Sequence, residues 1–191
     1  MSAKAATPSR RARLIGIVKA RSFQAGPEMK LASGRTSTFY FNMKPTMLNA
    51  EGARLIGELI CDQLEGVDAD LVGGLEMGAV PIAAATAAIA HTRGRDLSAF
   101  FVRKQAKEHG TRSLIEGLAR DETMAGKKIV IVEDVTTTGG SSIKAAQAIR
   151  AAGGEIVRVV TVVDRQEGAA EAFAAAGLDL RPLLTMRDFS T

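Results

Sequence analysis

Two nearly unbroken β-branched runs, IVIV at 129–132 and IVRVVTVV at 156–163, narrow what this chain can fold into more than any other feature. A strand with one face in water alternates apolar with polar residues, whereas a strand apolar on both sides needs cover on both faces. Helices give that cover when they cross over between parallel strands. The surrounding sequence has the matching rhythm. From Asn49, a good N-cap, the apolar residues Ala53, Leu55, Ile56, Leu59, Ile60 and Leu64 recur at helical spacing until Gly66. There follow a strand over 71–74, a helix over 79–91, a strand over 99–102, a polar loop, the strand over 129–132, a helix over 141–152 and the strand over 156–163. This order predicts an α/β domain with a parallel sheet, in which ligands lie beyond the carboxyl ends of the strands.

The preceding residues read as an N-terminal segment over about 1–45 attached to an α/β core over about 46–191, all in one domain. A helix over 12–21 leads through a Gly, Ser and Thr rich stretch over 31–38 to a short aromatic strand over 39–42. With 191 residues, 46% of them apolar, the chain can bury a substantial core. A net charge of +4 with 4% aromatics and no Trp gives little to stack on bases, so small anionic ligands are expected and nucleic acid is not. Cys61 is the single cysteine, set in LIGELICDQL, which excludes an internal disulfide and points to a small apolar role on a helix face in a reducing, cytoplasmic setting. No acidic residue precedes Glu28, but the apolar stretch there is too short for a secretory core, and a basic lead before an ordinary helix is expected. No run approaches the roughly 20 apolar residues of a membrane helix.

The richest chemistry follows the IVIV run. Glu133 and Asp134 are expected just past the strand end, and Val135, Thr136, Thr137, Thr138, Gly139, Gly140 and Ser141 lead from them into the next helix. The glycines allow tight turns and close backbone approach, and the hydroxyls and amides collect at a helix N-terminus. A phosphate monoester, carrying about 1.5 to 2 negative charges near neutral pH, suits that cradle. Two carboxylates beside it would repel the same phosphate, so they serve another group. Vicinal ribose hydroxyls or a divalent cation would both suit them, next to a ribose 5-phosphate. Neither a GxxxxGK[ST] loop nor a GxGxxG turn occurs.

The string VIVEDVTTTGGSS resembles the phosphoribosyl diphosphate signature of the type I phosphoribosyltransferases. That resemblance implies displacement of pyrophosphate from the sugar C1 by a nitrogen nucleophile, with Mg2+ on the diphosphate. It assigns the two acids to the ribose hydroxyls and the Thr/Gly turn to the 5-phosphate. The string VRKQAKEHG, within a loop holding Arg103, Lys104, Lys107, His109 and Arg112 against Glu108, resembles the catalytic loop of the orotate phosphoribosyltransferases. Clustered cations there would neutralise charge building on a diphosphate leaving group, and closure of a mobile loop would exclude water.

Other segments are similar to the same family. Ser33 and Gly34 followed by Phe39, Tyr40 and Phe41 resemble its SG...YFF segment, which implies that Tyr40 and Phe41 contact orotate. Neighbours on a regular strand face opposite ways, so a shared contact requires an irregular segment, and Phe39 is expected to turn into the core. GGLEMGAVP at 73–81 resembles the family's pyrophosphate loop and brings in Met77, although packing is the expected role of the Met77 and Met43 side chains. Asp164, Arg165, Gln166 and Glu167 resemble its DRQE, whose Arg meets the orotate carboxylate. Thr137 is implied on the orotate side as well as in the cradle.

Two positions depart from some members, with Ala32 and Met77 where those carry Lys, and Lys44 is a candidate substitute. His91 is expected merely to end a helix. The resemblance implies Lys107 and His109 as loop catalysts, with Arg103 and Lys104 beside the diphosphate, and a homodimer with shared active sites. A transferase for another nucleobase, or a non-enzymatic binder of the sugar diphosphate, would keep the 129–142 signature. The regulator would have little reason to keep the basic loop.

Overall fold

The computed structural model describes residues 8–30, 36–105 and 114–190. The predicted parallel sheet is present. Its strands are β3 (Leu71–Gly73), β4 (Ser98–Ala99), β7 (Lys128–Thr136), β8 (Glu155–Asp164) and β9 (Leu180–Thr185), arranged in the order β4-β3-β7-β8-β9 with every neighbouring pair parallel. Two small antiparallel pairs accompany it: β1 (Phe23–Lys30) with β2 (Thr36–Phe41), and β5 (Phe101–Val102) with β6 (Ile115–Glu116).

Both faces of β7 are buried, as its composition requires. Val130 and Val132 face the core formed with α1 (Arg10–Arg21), α3 (Ala50–Gln63) and α4 (Ala79–Thr92). Ile129 and Ile131 face the second core, with Ala145, Ala146 and Ile149 of α5 (Gly140–Ala151) and Phe173 of α6 (Ala169–Ala175). At about 25 cal/mol per Å2 of apolar surface removed from water, this two-sided burial dominates what holds the sheet together. The Asn49 side chain caps α3 by accepting from the Gly52 amide, and Cys61 is buried on that helix with its thiol toward the Thr86 carbonyl. His91 is exposed in the last turn of α4.

Several elements differ from expectation. The predicted strand over 99–102 is divided at buried Phe100, so its first half edges the sheet and its second half joins the small β5–β6 pair. β1 carries Gly26, Pro27 and Glu28, and β9 carries Pro182, so neither has the alternating pattern that marks a strand. The N-terminal helix packs into the main core through Leu14, Ile17 and Val18 of α1, and Arg11 donates to Asp188 at 2.6 Å near the other end of the chain. Phe23, Phe41 and Phe189 form one ring cluster, with centroids 5.0 to 5.3 Å apart. A one-turn helix, α2 (Lys44–Met47), links that cluster to α3.

Candidate active site at the carboxyl end of the sheet

β7 does not stop before the acids. It runs on to Thr136, with Glu133 opposite Thr161 and Thr136 opposite Asp164 on β8, so ladder pairing fixes the backbone of both acids where a loop was expected. Alternation along the strand then separates the two environments. Glu133 is buried and accepts a 2.8 Å hydrogen bond from the Ser142 hydroxyl in the first turn of α5. Burial, with Asp134 alongside, pushes the Glu133 carboxyl up to about 8, against the pull of Ser142 and Lys104. Asp134 is half-buried and is also raised by burial, opposed by the Val135 amide at 2.9 Å and by the charge of Lys44.

Beyond the acids the chain turns. Gly139, at φ +83°, takes the left-handed conformation at the N-cap of α5. Glu133, Val135, Thr136, Thr137, Thr138, Gly139, Gly140 and Ser141 line one concavity. The first amides of α5 have no intrahelical acceptor and open toward it. Thr136 Oγ1 is buried with no hydrogen-bond partner among the described residues, an orphan that a ligand oxygen would satisfy. These are the properties of an anion cradle.

A second concavity adjoins it on the far side of the acid pair, lined by residues 75–78 of the β3–α4 loop together with Lys44, Lys104 and Asp134. The approach is close: a side chain on Gly78 would come within 2.6 Å of Asp134 Oδ1. Glu76 ties this loop to the basic one, since its carboxylate accepts the Lys104 amide at 2.9 Å, and Lys144 donates to the Lys104 carbonyl at 3.1 Å. Lys104 is therefore anchored by its backbone with an exposed side chain at the rim. The Arg103 amide bonds to the Leu114 carbonyl at 2.7 Å and its Nε to the Gln105 carbonyl. Lys107, His109, Arg112, Ala32, Ser33 and Gly34 lie outside the described residues.

Three sequence expectations are corrected. Met77 does not pack: it is 62% exposed at the mouth of the second concavity, in the turn over 76–78 between strand and helix. Tyr40 and Phe41 do not share a face, because β2 is regular through them, pairing Tyr40 with Gln24 and Phe41 with Phe23. The Phe41 ring is committed to the core at 6% exposure, while Tyr40 is 42% exposed. An orotate contact through the Phe41 side chain is therefore not available in this arrangement. Phe39, expected in the core, is half-buried beneath Arg165, whose guanidinium carbon lies 4.6 Å from its ring centroid.

Arg165 is buried, and its amide donates to the Thr136 carbonyl at 2.9 Å, which sets it directly beside the cradle. Glu76 and Ser142 fall within the strings singled out above but were given no role there, and Ser37 carried no sequence signal because it acts through Arg165, 128 residues away.

The family model of the phosphoribosyl transferase domain matches residues 46–175. The chain is 60% identical over 179 residues to an orotate phosphoribosyltransferase of Bradyrhizobium sp. (strain ORS 278), covering 94% of this chain and 96% of that one. It is 43% identical over 187 residues to one of Sorangium cellulosum, covering 97% and 95%. Among solved structures, the Mycobacterium tuberculosis orotate phosphoribosyltransferase in complex with 5-phospho-α-D-ribosyl 1-diphosphate superposes with a TM-score of 0.77 at 38% identity, over 94% of this chain and 98% of that one.

Proposed function

We infer the reaction from one premise: the chain belongs to the orotate phosphoribosyltransferases, within the phosphoribosyl transferase family. It transfers the phosphoribosyl group of 5-phosphoribosyl 1-diphosphate to orotate, giving orotidine 5-phosphate and pyrophosphate, a step of pyrimidine biosynthesis. The observation that carries this reading is the meeting, at one end of the sheet, of an anion cradle, a carboxylate pair and a guanidinium whose backbone is bonded to the cradle itself.

Thr136 to Ser141 hold the 5-phosphate through hydroxyls and α5 amides. Asp134 and Glu133 receive the ribose hydroxyls, and a proton-bearing Glu133 can share its site with Asp134 without doubling the negative charge. Residues 76–78 and Lys104 flank the diphosphate, with Arg103 at the base of the basic loop. A nitrogen of orotate gives up its proton and forms a bond to C1 as the C1–O bond to the diphosphate breaks; the bonding pair leaves with pyrophosphate, which takes up the proton. Cations are useful there because negative charge grows on the leaving group. Lys107 and His109, a few residues beyond anchored Lys104, are the loop catalysts.

Mg2+ accompanies the diphosphate. No group of three metal-ligating side chains occurs among the described residues, which fits a cation held mainly by substrate phosphates and water with at most the acid pair in support. Arg165 meets the orotate carboxylate, Tyr40 and Thr137 flank the base, and Lys44 stands in for cations absent at Ala32 and Met77. The enzyme is cytoplasmic and works as a homodimer whose basic loop reaches the partner's site.

Ultraviolet loss of orotate in the presence of phosphoribosyl diphosphate and Mg2+ tests the reaction. Turnover of a purine base with none of orotate would replace the substrate, and binding without turnover would replace the enzyme with a regulator. Mixing Lys107→Ala with Asp134→Asn protein tests the shared site, since mixed dimers regain one intact site only if the loop crosses subunits.

A further inference from the structure

Arg165 uses most of its hydrogen-bonding capacity inside the protein. A guanidinium has five N–H groups. Nε donates to Glu167 Oε1 at 2.8 Å, and Nη2 reaches the same oxygen at 2.7 Å and Ser37 Oγ at 3.1 Å. With the Phe39 ring against its flat face, the group is held on one edge and one face, and Nη1 has no partner among the described residues.

Ser37 is equally committed. Its hydroxyl donates to the Phe39 carbonyl at 2.9 Å and accepts from the Phe39 amide at 3.2 Å as well as from Arg165. The one O–H and both lone pairs are thereby used, so the hydroxyl sits in a single orientation, at the point where the β1–β2 register shifts. The turn that carries Arg165 is fixed from its other side, where Gln166 takes φ +59° and donates its amide to Asp164 at 2.8 Å.

We propose that Ser37 and Glu167 are positioning residues for orotate: they clamp the Nε and Nη2 edge of Arg165 so that Nη1 is presented to the substrate carboxylate. This rests on the reading of Arg165 as the carboxylate partner. A free arginine at the surface would have to give up rotamer freedom when orotate binds, whereas the clamped one has already lost it on folding. Recognition of the base is thus set by a residue on β2 and a residue after β8, neither of which lines the anion cradle.

The test is steady-state kinetics of Ser37→Ala, Glu167→Gln, Ser37→Thr and Arg165→Ala, with melting temperatures. Loss of a hydrogen bond to a charged group predicts that Ser37→Ala and Glu167→Gln raise the KM for orotate about tenfold, leave kcat and the KM for phosphoribosyl diphosphate within about twofold, and that Ser37→Thr restores the wild-type value. If Arg165→Ala raises the orotate KM and the two clamp variants do not, the positioning role is overturned while the reading of Arg165 stands. If Arg165→Ala leaves it unchanged, both fall together. Equal losses toward both substrates with lowered melting temperatures would make the contacts a structural staple and overturn the proposal too.

Discussion

Replacing Glu133 by Gln should make the protein more stable at alkaline pH and leave it nearly unchanged in acid. The residue is 8% exposed, its carboxylate accepts from the Ser142 hydroxyl, and its pKa rises from 4.5 to about 8, mainly through burial. A raised carboxylate pKa means the folded state holds its proton more tightly than the unfolded chain. The favourable contribution is complete below about pH 4.5, where both states are protonated, and is lost as the pH climbs to about 8. At about 1.4 kcal/mol per pH unit, that interval caps the loss near 5 kcal/mol. Asp134 is raised as well and shares the titration, so a gain of about 2 kcal/mol or more is expected for the Gln variant at pH 8.5. An amide oxygen can still accept from Ser142, which keeps the packing intact. Urea denaturation of both proteins at half-unit intervals from pH 4.5 to 9 reads the difference directly, and a rise of roughly 5 °C in melting temperature should accompany it. Stability curves that run parallel across that range would refute the argument that Glu133 is buried at the expense of its charge.

Three further substitutions probe separate parts of the site. Lys107→Ala is expected to lower turnover about a hundredfold or more with an unchanged melting temperature, and a near wild-type rate would remove its catalytic role. Asp134→Asn should raise the KM for phosphoribosyl diphosphate well above that for orotate, and unaltered kinetics would undo the ribose assignment. Gly78→Ala would place a methyl group 2.6 Å from Asp134 Oδ1, so Asp134 must turn away and the same KM is expected to rise about tenfold, equivalent to about 1.4 kcal/mol; tight binding by that variant would show that Asp134 can move without cost.

Features encoded by local pattern were legible in the sequence, and features made by distant partners were not. The runs at 129–132 and 156–163, the capped helix after Asn49 and the glycine turn before α5 each carry their signal within about a dozen residues. The full extent of β7 was hidden because Glu133 and Asp134 look like a strand terminator, yet β8 pairs with the backbone whatever the side chains are. β1 was hidden by Gly26 and Pro27, which an exposed hairpin tolerates. The assignment of Tyr40 and Phe41 as a pair failed on alternation, since Phe41 has Phe23 and Phe189 to pack against. Arg165 was singled out by resemblance, but its contact with Ser37 was not, because Ser37 stands 128 residues away and a serine before a Thr and a Phe carries no mark of a guanidinium partner.

The clasp between Arg11 and Asp188, 177 residues apart, sets a timetable for synthesis. Strands β3 and β7 can meet while the chain is still emerging, but α1 has its full surroundings only after β9 and Phe189 have been made. The β1–β2 hairpin that carries Ser37 and Phe39 shares the Phe23, Phe41 and Phe189 cluster with that late segment. Long-range closure of this kind is slow compared with local pairing. In refolding, a compact sheet should therefore precede the hairpin that carries Ser37 and Phe39, and if that hairpin serves the base as proposed, ability to bind the sugar phosphate should return before selectivity for orotate.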